Sequence, residues 1–184
     1  LRRQTTVDSG RIGVVGHSVG AGAALLLAAR RQDLFAVVSV AAFAHPNAMM
    51  RRWLKLKRIP FWPLGAYVLY YVQHVIGYRF DDIAPRNTIR SVSCPVLLAH
   101  GPDDALVPAS EAEEIYANRR DEPVQLMLIP GGHDDYSDIE QHVGSVIRFL
   151  DGAGKVIEDF TPCSIIGGAA TVAFVDNDHI EEVA

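Results

Sequence analysis

The chain has 184 residues, enough for one domain or a large part of one. Hydrophobic residues make up 49% of it and charged residues 21%, so we expect a packed core and exclude a disordered polypeptide. The net charge of -5 argues against a nucleic-acid partner, and two prolines in the longest uncharged run, residues 59–78, argue against a membrane-spanning helix.

In chain order, short apolar runs rich in valine alternate with segments of high helix propensity. A less regular region with helical patches, residues 45–90, interrupts the alternation. The predicted strands are 11–17, 35–44, 94–101 and 124–132, and the predicted helices are 21–31, 109–120 and 137–154. This order predicts an α/β fold in which a mostly parallel sheet is flanked by helices.

The junction of the first strand and the first helix has the sequence Gly16-His17-Ser18-Val19-Gly20. A serine at such a tight turn exposes its hydroxyl beyond the carboxyl end of a strand, where open α/β sheets bind ligands. The glycines leave room for the turn, and this is the G-x-S-x-G pattern of a nucleophile elbow. A phosphate-binding loop is disfavoured because no Gly-Lys-Ser/Thr follows, and the dinucleotide pattern G-x-G-x-x-G is absent.

A serine nucleophile needs a base, and the base needs an orienting acid. Both residue types follow later strands: Asp103 and Asp104 come after the third predicted strand, and His133 comes after the fourth. The order serine, aspartate, histidine is the order in α/β-hydrolases. The residues alone leave Asp103 and Asp104 as alternatives for the acid.

On these motifs, residues 10–150 resemble the C-terminal portion of an α/β-hydrolase of the serine-aminopeptidase-like or dienelactone-hydrolase-like branch. In that branch the acid lies in a loop similar to H-G-x-x-D-x-x-V-P, which is matched here by residues 100–108. The resemblance therefore selects Asp104. It implies that Ser18 attacks an acyl carbon, that His133 transfers the proton, and that the backbone N–H of Val19 donates to the oxyanion. No cofactor and no metal are implied.

The early position of the elbow predicts a partial domain. An α/β-hydrolase has several strands before its nucleophile, whereas this chain reaches Ser18 at once. We therefore expect residues 1–154 to be the C-terminal portion of such a domain, without the loop that supplies the second oxyanion donor. The chain alone is then expected to be weakly active or inactive, and the bare edge of the strand at 12–15 predicts self-association. The tail 155–184 has no predicted role.

Residues 46–84 stand where these enzymes often carry a cap over the active site, and we call this segment the cap. Its stretch 49–71 mixes five basic residues with many aromatic ones, so one interpretation is a lid that binds an acyl chain and turns a basic face to an acidic group or a membrane surface. The alternative is a helix packed on the core with a solvated basic face. The candidate substrate contacts are His17, His45, Trp53 and Trp62.

The sequence thus predicts a serine hydrolase that cleaves a carboxylic ester of a small-molecule acyl substrate. The alternatives are a serine peptidase or thioesterase, or a non-catalytic remnant that binds a ligand or a partner. Two cysteines without metal spacing, Cys94 and Cys163, fit a reduced, cytoplasmic setting.

Overall fold

The computed structural model describes residues 11–120, 123–133, 139–155, 172–175 and 180–183. The strands are β1 (Gly13–His17), β2 (Ala36–Val40), β3 (Val96–His100), β4 (Val124–Leu128), β5 (Val172–Val175) and β6 (Ile180–Val183). The helices are α1 (Val19–Arg30), α2 (Pro46–Leu56), α3 (Ala66–Ile76), α4 (Phe80–Ile83), α5 (Pro85–Thr88), α6 (Ala109–Ala117) and α7 (Ile139–Lys155). Shorter helical turns span Phe61–Gly65 and Ile89–Ser91.

The strands form one sheet in the order β4-β3-β2-β1-β5-β6. All neighbouring pairs are parallel except β5 and β6, which are antiparallel. Because β1 to β4 are all parallel, their carboxyl ends lie together at one edge of the sheet, across the ends of the strands. The predicted α/β fold with a mostly parallel sheet is confirmed, and the loops after β1, β3 and β4 meet at that edge.

The core has two apolar layers, one on each face of the sheet. The larger layer packs α1 and α6 against alternate strand residues such as Val37 and Leu98. The smaller layer packs Phe149 of α7 against Val38 and Leu97. Strands buried on both faces have nearly continuous apolar sequences, which explains why β2 and β3 were recognisable without any alternating pattern.

The edge of β1 differs from the expectation. Its backbone pairs along 13–16 with β5, so the prediction of a bare edge there is wrong, and with it the reason for self-association through that edge. The physical reason is that a strand edge is saturated by any extended segment that reaches it, and residues 172–175 come from the tail that had no predicted partner. The rest of the tail, apart from β6, and residues 1–10 lie outside the described residues.

Candidate active site

Ser18 lies in the turn between β1 and α1 and has a backbone conformation rare for residues with a side chain. Its φ is 52° and its ψ is -114°, and its amide donates a hydrogen bond of 2.9 Å to the carbonyl of Val40. A Cβ on Gly16 would collide with the carbonyl oxygen of Gly20, so this turn requires glycine at position 16. A strained residue held by its surroundings at a strand end is typical of a functional position.

The loop after β3 presents Asp104, which is buried. One carboxylate oxygen, Oδ1, accepts hydrogen bonds from the amides of Leu106 (2.9 Å) and Val107 (2.7 Å). The other, Oδ2, lies 2.6 Å from Nδ1 of His133. Asp103 is exposed, so the structure places Asp104 and not Asp103 against the histidine.

His133 joins the acid to the serine. Its Nε2 lies 3.0 Å from Oγ of Ser18, while its Nδ1 faces Asp104. Because an ionised carboxylate only accepts hydrogen bonds, Nδ1 must carry the proton, and the neutral ring then offers Nε2 as an acceptor to the serine hydroxyl. The three side chains therefore form one chain of hydrogen bonds in the orientation that acyl transfer requires.

Backbone contacts hold the acid loop and the histidine loop together. A Cβ on Gly101 would collide with the carbonyl oxygen of Gly131, and the amide of Asp103 donates to that same carbonyl at 3.2 Å. The amide of Ile129 donates to the carbonyl of His100 at 2.9 Å. The distance between acid and base is thus set by main-chain packing.

Two further histidines brace the site. Nε2 of His17 donates to the carbonyl of His133 at 3.0 Å, and the two rings lie 5.1 Å apart between centroids. Nε2 of the fully buried His100 donates to the carbonyl of Val107 at 2.7 Å, which closes the loop around Asp104. His17 was predicted as a substrate contact, and the structure places it against the backbone of His133.

A buried ion pair links the acid loop to the cap, and sequence analysis missed it. Glu111 of α6 is buried, accepts a hydrogen bond of 2.7 Å from the amide of Ala44, and pairs with Arg52 of α2. Arg52 also donates to the carbonyl of Leu106 at 3.2 Å. We call Arg52 and Glu111 the clamp. The pattern of acids early in α6 gave no sign of it, because glutamates in a first helical turn are usually solvated.

The remaining predicted contacts are His45, Trp53 and Trp62, and the described hydrogen bonds and ring contacts do not link them to Ser18, His133 or Asp104. His45 caps α2, since its Nδ1 accepts from the amide of Asn47 at 3.1 Å, and its Nε2 donates to Asp81 at 3.0 Å. The hydrogen bond from His45 lowers the pKa of Asp81 below its ordinary value. Trp53 and Trp62 are exposed on the cap, and no hydrogen bond or ring contact among the described residues joins them to the triad.

Val19, the predicted oxyanion donor, is the first residue of α1 and is about half exposed. Its amide thus belongs to the first turn of a helix, where N–H groups lack intrahelical partners. In the described part of the chain, no group of three or more His, Cys, Asp or Glu side chains is placed to hold a metal ion. A cavity of about 540 Å³ lies under α7 against β3 and β4, and no triad residue lines it.

Comparison with known proteins identifies a family. A model of the prolyl oligopeptidase family matches residues 1–152. The uncharacterized protein YqkD of Bacillus subtilis (strain 168) is 30% identical over 163 residues, which cover 86% of this chain and 53% of the relative. The chain spans about half the length of the curated relatives it matches.

Solved structures agree with the fold. The Pyrococcus furiosus esterase Pf2001 has a TM-score of 0.59 at 25% identity, covering 76% of this chain and 53% of that one. Acetyl xylan esterase 1 from Thermoanaerobacterium sp. JW/SL YS485 has a TM-score of 0.59 at 23% identity, covering 80% and 47%. The Pyrococcus horikoshii acylaminoacyl peptidase has a TM-score of 0.60 at 19% identity, covering 84% and 26%. These likenesses confirm the predicted α/β-hydrolase fold.

None of the helices in the described segments combines the length and the apolar character that a membrane crossing requires. The cytoplasmic setting inferred from cysteine content stays a prediction.

Proposed function

Since the chain belongs to the prolyl oligopeptidase family, a family of α/β-type hydrolases, we propose that it carries the triad of a serine hydrolase that cleaves carboxylic esters. The observation that supports this most is the hydrogen-bonded chain from Ser18 through His133 to Asp104, with distances of 3.0 and 2.6 Å. The activity proposed is that of the whole protein.

In the proposed reaction, Oγ of Ser18 attacks the acyl carbon while Nε2 of His133 takes the hydroxyl proton. The carbonyl oxygen becomes an oxyanion, which accepts a hydrogen bond from the amide of Val19. His133 then returns the proton to the departing alcohol oxygen, leaving an ester between Ser18 and the acyl group. Water, deprotonated by the same nitrogen, cleaves that ester and restores the serine.

Asp104 acts through His133 in this scheme. It holds the proton on Nδ1, so that Nε2 stays available as the base, and it stabilises the imidazolium that forms during the attack. The two loop amides that donate to Oδ1 fix the carboxylate in place. Without either contribution of Asp104, His133 no longer acts as an effective base, although Ser18 keeps its place in the turn.

A second candidate function is peptide cleavage, which the family match favours. The triad supports both reactions, because an amine leaving group takes its proton from His133 as an alcohol does. Thioesters remain a further alternative, and a non-catalytic remnant is the alternative outside enzymes. The residues that select among acyl substrates lie beyond the triad.

The experiment is covalent labelling of the chain by a fluorophosphonate probe, which reacts with activated serines. We expect labelling that disappears in Ser18→Ala and persists in Ser39→Ala. The matched control is suitable because the Ser39 hydroxyl is buried and has no hydrogen-bond partner among the described residues, so we expect its removal to leave the fold intact. Unlabelled protein from the same preparation is then assayed on nitrophenyl esters, acyl thioesters and aminoacyl nitroanilides.

Absence of labelling in the chain, and also in a polypeptide extended at its N-terminus, would reject the proposal and leave the non-catalytic remnant. Faster turnover of nitroanilides than of esters would replace ester cleavage by peptide cleavage.

A further inference from the structure

The cap has an unusual charge pattern. Six of the 17 Lys and Arg residues lie in the cap, against two of the 22 Asp and Glu residues, Asp81 and Asp82 near its C-terminal end. The rest of the chain therefore carries eleven basic against 20 acidic residues. A strongly positive segment within an acidic protein is a local electrostatic feature, and it attracts anionic surfaces despite the negative net charge.

The cap also leaves large apolar side chains in solvent. Residues 59–78 contain no charged side chain, yet Trp62 is 78% exposed and Tyr70 is 69% exposed. On α3 the exposed positions recur at helical spacing, so they form one continuous face. We define the outer face of the cap as Leu56, Trp62, Leu64, Tyr67, Tyr70, Tyr71 and Val75.

Other apolar side chains of the cap are buried. Leu54 of α2 packs where a Cβ on Gly65 would lie, and Leu69 of α3 is buried. Beyond α3, the guanidinium of Arg30 of α1 lies over the ring of Tyr78 at 4.7 Å. The outer face is therefore distinct from the apolar side chains that pack inside the cap.

Three exposed bases, Lys55, Lys57 and Arg58, lie next to Leu56 of this face in the sequence. The Nζ atom of Lys57 lies 5.9 Å from the centre of the ring of Trp53, which is also exposed. Arg52 is not among the available bases because it belongs to the clamp.

We propose that the outer face of the cap and its three flanking bases dock on an anionic lipid bilayer. Tyrosine and tryptophan favour the interface between headgroups and acyl chains, and lysine and arginine favour anionic headgroups. Interfaces between proteins are enriched in aromatic residues as well, but they are depleted in lysine. The combination on the cap therefore matches a membrane surface better than a protein partner.

The geometry fits a helix that lies in the surface. α3 has 11 residues and a length of about 16 Å, well below the hydrocarbon thickness of a bilayer. A short helix with an exposed aromatic face beside basic residues binds at the level of the headgroups. The clamp connects this cap to the loop of Asp104.

The chain contains its own reporter for the test. Its two tryptophans, Trp53 and Trp62, are both in the cap, so tryptophan emission reports on this segment alone. We expect a blue shift and co-sedimentation with vesicles of phosphatidylcholine and phosphatidylserine, and much weaker effects with phosphatidylcholine alone. Salt is expected to weaken binding because it screens the exposed bases.

The decisive variant is the triple substitution Lys55→Gln, Lys57→Gln and Arg58→Gln. It is expected to weaken binding to anionic vesicles about 100-fold, since each base near the surface contributes about a fivefold factor. The matched control, Arg119→Gln, Arg120→Gln and Arg148→Gln, changes the net charge equally at exposed positions outside the cap. It is expected to change binding less than about threefold, because charges beyond the Debye length are screened.

A second variant, Tyr67→Ser and Tyr71→Ser, tests the apolar contribution and is expected to reduce the blue shift. Equal binding by the two charge triples would overturn the proposal. A blue shift that grows with protein concentration in the absence of vesicles would assign the outer face to a second copy of the chain. Loss of vesicle binding in an N-terminally extended polypeptide would assign it to a contact within the longer protein. Binding is measured without a substrate, so the result does not depend on the proposed hydrolysis.

Discussion

The strand-end site buries polar side chains, whereas the cap exposes large apolar ones. At the site, Ser18 and Asp104 are buried and hydrogen-bonded, and they lie among residues that belong to the core. On the cap, Trp62 and Tyr70 are exposed although nothing in their sequence surroundings is charged. Buried polar groups and large exposed apolar patches are the two features that stability alone does not explain. Each of them therefore points to a function.

The two regions also differ in how firmly neighbouring groups hold them. Main-chain contacts between loops hold the hydrogen-bonded group of Ser18, His133 and Asp104, so its geometry follows from the fold itself. The outer face of the cap makes no comparable contact with the residues that the structure describes, and there it is exposed. Among the described contacts, the clamp links the cap to the site: Arg52 of the cap pairs with Glu111 and donates to the carbonyl of Leu106 in the acid loop.

The largest expected effect tests the buried side of this comparison. Asp104→Asn should lower kcat/KM for the best substrate about 10⁴-fold, because the amide favours the wrong tautomer of His133. Asp103→Asn is the matched control, since that carboxylate is exposed and adjacent. Steady-state kinetics of both variants decide the matter. Similar losses in the two would mean that the acid was wrongly assigned.

The clamp offers the next largest effect. Arg52→Met leaves the carboxylate of Glu111 buried without its partner and should cost about 3 kcal/mol in the free energy of unfolding. The double variant Arg52→Met, Glu111→Gln should recover most of that loss, because it no longer buries an unpaired charge. Urea denaturation of the native chain, Arg52→Met and the double variant measures both the loss and the recovery of unfolding free energy. A double variant less stable than Arg52→Met would contradict this account.

A pair of substitutions within α3 sharpens the comparison inside the cap. Leu69→Ala removes a buried side chain and should cost about 2 kcal/mol or more in unfolding free energy. Tyr70→Ala, at the adjacent exposed position, should change stability by less than about 0.5 kcal/mol. Thermal denaturation followed by circular dichroism compares them. A large loss from Tyr70→Ala would mean that the outer face supports the fold instead of an external contact.

The smallest effect concerns the hydrogen bond between His45 and Asp81, which lowers the pKa of that carboxyl. A lowered pKa in the folded state means that the bond stabilises the fold above the ordinary pKa of 3.8, and that this contribution is lost as the pH falls through the folded-state value. Asp81→Asn should therefore be slightly less stable than the native chain at neutral pH and equally stable in acid. A difference between the two proteins that persists in acid would show that the bond does not act through this ionisation.

Sequence reasoning predicted the parts of the molecule that local chemistry determines. The four parallel strands are apolar runs of recognisable length, and Ser18 is marked by its two glycines. Residue types alone could not distinguish Asp103 from Asp104 as the acid, because two adjacent aspartates in a turn differ only in the direction in which the loop orients their side chains. It needed the resemblance of residues 100–108 to a known loop.

Non-local contacts were not predictable in the same way. The pairing of β5 with β1 joins segments more than 150 positions apart. The sequence of the tail contains no pattern that indicates which strand it pairs with. The burial of Glu111 depends on the position of α2, so a solvated helix start was the natural expectation. Exposure of the tyrosines on α3 likewise depends on which face the domain covers.

The contact between Gly101 and Gly131 has a consequence for how such a site diversifies. Neither loop is free to drift alone, because any side chain at Gly101 would meet the main chain of the other loop. Variation that changes substrate preference must therefore enter elsewhere, in segments such as the cap that hang on the fold through few contacts. A library that randomises the exposed cap positions and spares Arg52, Leu54 and Leu69 should yield many folded variants, whereas one that randomises the glycine contact should yield almost none.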